Sequence, residues 1–281
     1  MAKYMKTEQG YIDIPNFALA PFKPAGKSYL TFTSSNSFTL AVYDNNKHWN
    51  GIIEYFDSNK TWITWDGMSA LSAVADDDGY VLYLRGTDNT IITGNDERYR
   101  WILTGTDIKC IGNIENLLNY AIVESGGHPT MANSCYSSMF QGCTALTQAP
   151  SLPATTLADS CYRGMFQGCT SLKLSTTKTG EYTQGYRIPF SGDGTTAQYA
   201  LDDMFTSTGG TFTGTPDINK TYYLSSDNMI ARGSDIATLN GYVKSIIDAA
   251  ECIIPSSTPN STKKFKITVD DSGAISATEV T

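Results

Sequence analysis

Four of the six cysteines stand in two Cys-x7-Cys pairs, Cys135/Cys143 and Cys161/Cys169, displaced by 26 residues; Cys110 and Cys252 are single. Thiols at such a repeat can hold a metal, form disulfides or fill a core. Structural zinc sites bring cysteines two to four residues apart, and no such pair exists here, so no metal and no cofactor is expected. If the repeat stacks on itself, Cys135 lies near Cys161 and Cys143 near Cys169, on layers roughly 5 Å apart. That distance admits a disulfide where the side chains face each other, and otherwise a ladder of buried free thiols. The free-thiol reading is preferred, and it suits folding in a reducing compartment.

Other reactive side chains are sparse. The two histidines, His48 and His128, lie in neither an H-E-x-x-H nor a G-x-S-x-G setting, and no Lys-bearing glycine-rich loop is present. His128 reads as a loop residue. Carboxylates concentrate in turns, so a glycoside-cleaving pair is a minor reading and the chain is expected not to be an enzyme. Asp76, Asp77 and Asp78 before Gly79 lack the alternating spacing of a calcium loop and read as a solvated turn, as does the stretch 191–196. Trp62 and Thr64 share one face of the strand-like TWITW, with Ile63 and Trp65 on the other, so one Trp is expected in the core. An exposed Trp62 near Trp49 could stack on a sugar ring; the plainer alternative places both in packed positions.

The element that carries the cysteines is a repeat. SCYSSMFQGCTAL (134–146) returns as SCYRGMFQGCTSL (160–172) with ten of thirteen positions identical. Met139, Phe140 and Leu146 match Met165, Phe166 and Leu172, so each copy offers its neighbour the same apolar set. Stacks of this kind need about three copies. Degenerate partners are visible downstream, at Met204 and Phe205, and upstream, at Ile108, Cys110, Ile111, Ile114, Leu117 and Leu118.

These runs, together with GNIENLLNYA before them and DDMFTSTGGTFTGTPDINKTYYLS after, resemble the BspA-like leucine-rich repeat proteins of gut bacteria and their tailed phages. The resemblance covers residues 28 to about 224. It implies a surface or adhesion role, with no catalytic residues to transfer and no particular ligand.

Around the repeat the chain is expected to be mainly β. Residues 28–105 alternate as short strands between turn clusters and predict an antiparallel β-sandwich. Residues 106–224 are expected to form a short leucine-rich-repeat-like solenoid with caps. From Ser234, Ile236, Leu239, Val243 and Ile246 fall three and four residues apart, a short helical stripe that either packs on its own chain or joins a small oligomer, most naturally a homotrimer. A β-hairpin follows around Asp270–Gly273, so residues 234–281 predict helix plus hairpin for oligomerisation or docking. Residues 1–27 have no core periodicity and read as a docking arm.

Net charge of −8 with scattered Lys and Arg argues against nucleic acid as a partner, and no run is apolar enough to insert in a membrane. Abundant Thr, Ser, Gly and Tyr suit a β-rich exterior. With no signal-like segment at the N-terminus, the expectation is a phage virion protein, a fibre or decoration of tail or head, made in the host cytoplasm and displayed on the virion surface. Its expected partners are other virion proteins and a host surface glycan or protein. A bacterial cell-surface or secreted adhesin is the alternative, and a polysaccharide depolymerase is a lesser one. Copies of the repeat differ where binding would be read out: Ser137 becomes Arg163 and Ser138 becomes Gly164.

Overall fold

The computed structural model describes residues 4–7, 10–13, 22–25, 29–76, 78–225, 253–255, 264–269 and 275–280. The chain is mainly β and divides into two compact units, residues 1–228 and 229–281. Ile236, Leu239, Val243 and Ile246, the expected oligomer stripe, lie outside the described residues, as does Cys252.

The first unit begins with a hairpin, β1 (Tyr4–Thr7) and β2 (Gly10–Asp13), inside the segment read as an arm without core pattern. Next come β3 (Leu30–Ser34), β4 (Thr39–Val42), β5 (Ile52–Phe56), β6 (Trp62–Thr64), β7 (Leu71–Ser72), β8 (Val74–Asp76), β9 (Gly79–Thr87), β10 (Trp101–Thr104) and β11 (Ile108–Ile111). With β12 (Leu146–Gln148) they make two sheets. The larger has the order β12-β11-β3-β9-β5-β6, with β8 also pairing β9; the smaller is β10-β4-β7. All pairs are antiparallel except β11 with β12, which is parallel.

Alternation along β9 sorts two cores. Leu82 and Leu84 join the main cluster with Leu30, Phe32 and Trp101, while Val81 and Tyr83 face the other way onto Phe56, Phe22, Tyr29 and Trp62. Gly86 in the same strand is needed for closeness: a Cβ there would lie 1.7 Å from the Leu117 carbonyl oxygen, at the start of α1 (Asn116–Glu124). Asn89 locks that junction, donating to the carbonyls of Ile52 (2.7 Å) and Leu117 (2.9 Å).

The repeat cores fold as turn-rich segments lying side by side. Within 134–143, amides of Ser137, Met139, Gln141 and Cys143 close local turns onto carbonyls three residues back. The alternate amides point sideways: Tyr136, Ser138, Phe140 and Gly142 each donate at 2.8 Å to Cys161, Arg163, Met165 and Gln167 of the next segment. That segment repeats the pattern, with Tyr162, Gly164, Phe166 and Gly168 donating to Ala200, Asp202, Met204 and Thr206.

A left-handed residue every fourth position makes this possible, because it interrupts the helical pattern before an i−4 bond can form. Ser134, Ser138 and Gly142 have φ of 57°, 54° and 76°, matched by Ser160, Gly164 and Gly168, and again by Tyr199, Asp203 and Ser207. The third segment therefore starts at Tyr199, 39 residues after Ser160, and the 13 residues beyond the 26-residue period are inserted between them. The inserted stretch carries β14 (Tyr182–Arg187), which joins β13 (Lys173–Ser175), β15 (Gly209–Gly210) and β16 (Thr221–Ser225) in the sheet β14-β16-β13-β15.

Residues 92–114 lie against the first segment as a preceding layer. Ile92 and Thr93 amides donate to the Cys135 carbonyl, Trp101 to Met139, Ile108 to Ala145 and Ile114 to Ser151. One hydrophobic core consequently runs from Leu30 to Leu224. Rings mark its path: Trp49 meets Trp65 at 5.0 Å, Trp65 meets Trp101 at 5.5 Å, Trp101 meets Phe140 at 6.1 Å, then Phe140, Phe166 and Phe205 stack 6° from parallel at 5.7 and 5.5 Å.

In the second unit, β18 (Lys264–Val269) and β19 (Ile275–Val280) form the expected hairpin. A third strand, β17 (Ile253–Pro255), pairs with β18, so a partner for the hairpin comes from its own chain.

Candidate functional site

Three places on the first unit carry side chains with something to do: the outer face of the stacked segments, the tryptophans, and a pocket beside α1.

On the outer face, equivalent positions hold Ser137, Arg163 and Asp202. Arg163 is exposed, and among the described residues it has no ion-pair partner. Ser137 is a correction to the sequence reading. It is buried, 6% exposed, because Thr93 of the preceding layer covers it and donates its hydroxyl to the Ser137 carbonyl at 2.8 Å. Recognition on this face can thus involve Arg163 but not the Ser137 side chain. At the head of the third segment, Tyr199 is 53% exposed where both earlier copies have Ser, and it keeps the left-handed φ of 56° despite its bulk. Such a conformation is uncommon for a large side chain. Alternating patterns in sequence gave no sign of it.

The tryptophans do not form an exposed pair. Trp49 is buried at 3% against Trp65, which corrects its assignment as a sugar-stacking surface. Trp62 is half-buried, packed on Phe56 at 5.3 Å and covered by the Arg85 guanidinium 4.2 Å from its ring. Arg85 is itself held by Glu54 at 2.8 Å and also lies 4.4 Å from the Tyr120 ring. Of the two, Trp65 is the one that packs in the core, yet Ile63, on the same nominal face, is 39% exposed. The strand ends at Thr64 and the chain turns inward, with the Trp65 amide donating to Ile53.

The pocket, about 340 Å³, is lined by Glu115, His128, Pro129, Thr130, Met131 and residues 154–158. Glu115 precedes α1, and its side chain has no exposure, while the His128 ring is 47% exposed. His128 Nδ1 lies 2.8 Å from Glu115 Oε2 and 3.1 Å from Oε1. Burial pushes the Glu115 carboxyl up from its usual range, and the imidazole beside it offsets this only in part. His128 does lie in a loop, after α1, and it is oriented there by a buried acid. Nothing local in the sequence pairs two residues 13 apart at the two ends of a helix.

The described cysteines Cys110, Cys135, Cys143, Cys161 and Cys169 are free and buried. Cys143 Sγ donates to the Trp101 carbonyl at 3.2 Å and Cys169 Sγ to the Phe140 carbonyl at 3.0 Å, each thiol reaching back one layer. Burial pushes the thiols of Cys143 and Cys161 up to about 12, so they are poor nucleophiles and poor metal ligands. Among the described residues no group of three His, Cys, Asp or Glu side chains is placed to hold a metal ion. In the turn after β8 the Asp78 amide donates to Asp76 Oδ1 at 3.0 Å, the bond of a turn residue. The loop 189–194 is fastened by Arg187, which donates to Gly192 and Asp193, and by Asn219 on Gly194. Neither a known protein family, nor a curated protein, nor a solved structure matches the chain.

Proposed function

We propose that this chain is a non-enzymatic structural protein of a tailed-phage virion, a fibre or decoration of tail or head, that displays a repeat surface for a host glycan or protein. In this reading residues 28–105 are a β-sandwich serving as one cap of a short leucine-rich-repeat-like solenoid over 106–224. The observation that carries it is the contrast between the inside and the outside of the stacked segments. Met139, Met165 and Met204, with Phe140, Phe166 and Phe205, keep one apolar ladder fully buried, while the more exposed positions vary from copy to copy, Arg163 against Asp202 and Ser134 and Ser160 against Tyr199. A scaffold that holds its core fixed while its outer side chains change is suited to recognition. Free thiols buried in the same ladder favour folding in a reducing cytoplasm over an export route, where adjacent cysteines meet oxidants.

Immunogold electron microscopy of the source culture tests this, with antibody to the purified chain applied to cells and to purified particles. Gold on particles is the expected result, at the tail for host recognition or over the head for decoration. Gold on cells with bare particles overturns the virion assignment in favour of a bacterial surface adhesin. Arg163→Ala is expected to leave the fold intact and to lower retention on host cells, by roughly tenfold if the guanidinium makes a charge-assisted contact.

A further inference from the structure

We propose that the cavity beside α1 is a site for one neutral, hydroxyl-rich ring, a hexose residue, held through the outward nitrogen of His128; this rests on the glycan-binding reading above. At about 340 Å³ the cavity falls in the range of small-molecule sites. Its apolar wall is Met131, Leu157 and Ala154, able to meet the C–H face of a ring. Its polar wall is uncharged: the hydroxyls of Thr130, Thr155 and Thr156 make no side-chain hydrogen bonds among the described residues.

Glu115 is the one carboxylate among the residues that line the cavity, and it is spent on His128. Both carboxylate oxygens lie within 3.1 Å of the same Nδ1, and the carboxylate itself is hidden from solvent. Nδ1 is turned inward to the carboxylate, so Nε2 stands on the half-exposed edge of the ring, without a partner among the described residues, and the neutral tautomer that carries its proton on Nδ1 offers it as an acceptor. A cation finds no accessible carboxylate here, and an anion finds no uncompensated positive charge. A ligand that offers O–H groups to Nε2 and accepts from threonine hydroxyls matches the wall. Glu115 acts as a positioning residue: a buried acid is costly to keep, and here it fixes the tautomer and orientation of the imidazole.

Nuclear magnetic resonance on the full chain, labelled with ¹⁵N at its two histidines, is the test, with His48→Ala assigning the signals. Galactose, glucose and mannose are titrated singly, then glucuronate and glucosamine. The expected result is a saturable shift of the His128 signals with at least one neutral hexose, and its loss in His128→Ala. Glu115→Gln keeps an acceptor for Nδ1–H and should hold affinity within about threefold, whereas Glu115→Ala should lower it about tenfold and change the ¹⁵N tautomer signature. No saturable response to any neutral hexose up to about 100 mM, well above millimolar dissociation constants, overturns the proposal, as does a response confined to the charged sugars. Retention on host cells is measured in parallel. Retention without a His128 response sinks the cavity assignment alone; loss of both sinks the glycan reading as well.

Discussion

Glu115 illustrates how a single residue can oppose the fold that contains it. Its carboxyl is raised from the usual range because burial penalises the charged form, with His128 offsetting only part of that. A carboxyl whose folded value is raised favours the fold most below the unfolded value, near pH 4, and that contribution is lost as pH rises through the folded value. Glu115→Gln removes the ionisation while keeping the hydrogen bond from Nδ1. Thermal melts are therefore expected to show the variant gaining on the native chain between about pH 4 and pH 7, with the smallest difference at the acid end. A constant gap would mean that the carboxylate is as well solvated in the folded protein as in the unfolded one, and a shrinking gap that its contacts with His128 outweigh its burial. At this scale the sequence was informative about the thiols and the apolar ladder, because period and side-chain size decide those. It was silent on Glu115 and His128, which meet only through tertiary folding, and misleading on Trp49 and Ser137, whose cover comes from segments far along the chain.

The stacked segments depend on two requirements that separate cleanly in mutants. One is the phenyl stack, in which Phe166 has a ring on either side at 5.7 and 5.5 Å. Phe166→Ala leaves a cavity between two layers and is expected to cost about 3–5 kcal/mol in denaturant unfolding. The other is the left-handed residue every fourth position. Gly168 has φ of 75°, and the nearest atoms to an added Cβ are 3.6 Å away, so Gly168→Ala meets no clash and is expected to cost only the conformational penalty, about 1–2 kcal/mol. Gly86 fails for the opposite reason: its φ is ordinary, but a Cβ would meet backbone at 1.7 Å, and Gly86→Ala should cost more than Gly168→Ala. If the order of these two glycine variants reverses, backbone conformation rather than close approach limits the fold. The repeat was legible because identical side chains recur at a fixed spacing. The third segment's start was harder to place, since the inserted residues carrying β14 shift it out of period and leave only Met204 and Phe205 as markers.

For the whole molecule, composition changes near residue 105, where the alternating strands give way to the repeat, and such a change invites a boundary there. Packing continues across it. The amides of Ile92, Thr93 and Trp101 end on carbonyls of the first repeat segment, and Phe32, Trp101 and Phe140 touch ring to ring at 6.1 to 6.5 Å. A stack whose layers each bury only a neighbour's face needs closure at both ends, and here residues 92–114 close one end while residues 209–224 cover the other, with Phe212 against Phe205 and Tyr222. Contact density instead falls between residues 228 and 229, where the two compact units part. Two fragments test which division the physics respects. Residues 1–228 are expected to unfold in one cooperative transition near the midpoint of the full chain. Residues 106–228, stripped of the layer that covers Met139 and Phe140, are expected to lose cooperative unfolding, because that apolar face then meets water. A well-folded 106–228 fragment would show that the repeat closes itself and that the N-terminal sheets are an addition to it. Its failure would make the sheets part of the scaffold on which any recognition surface is built.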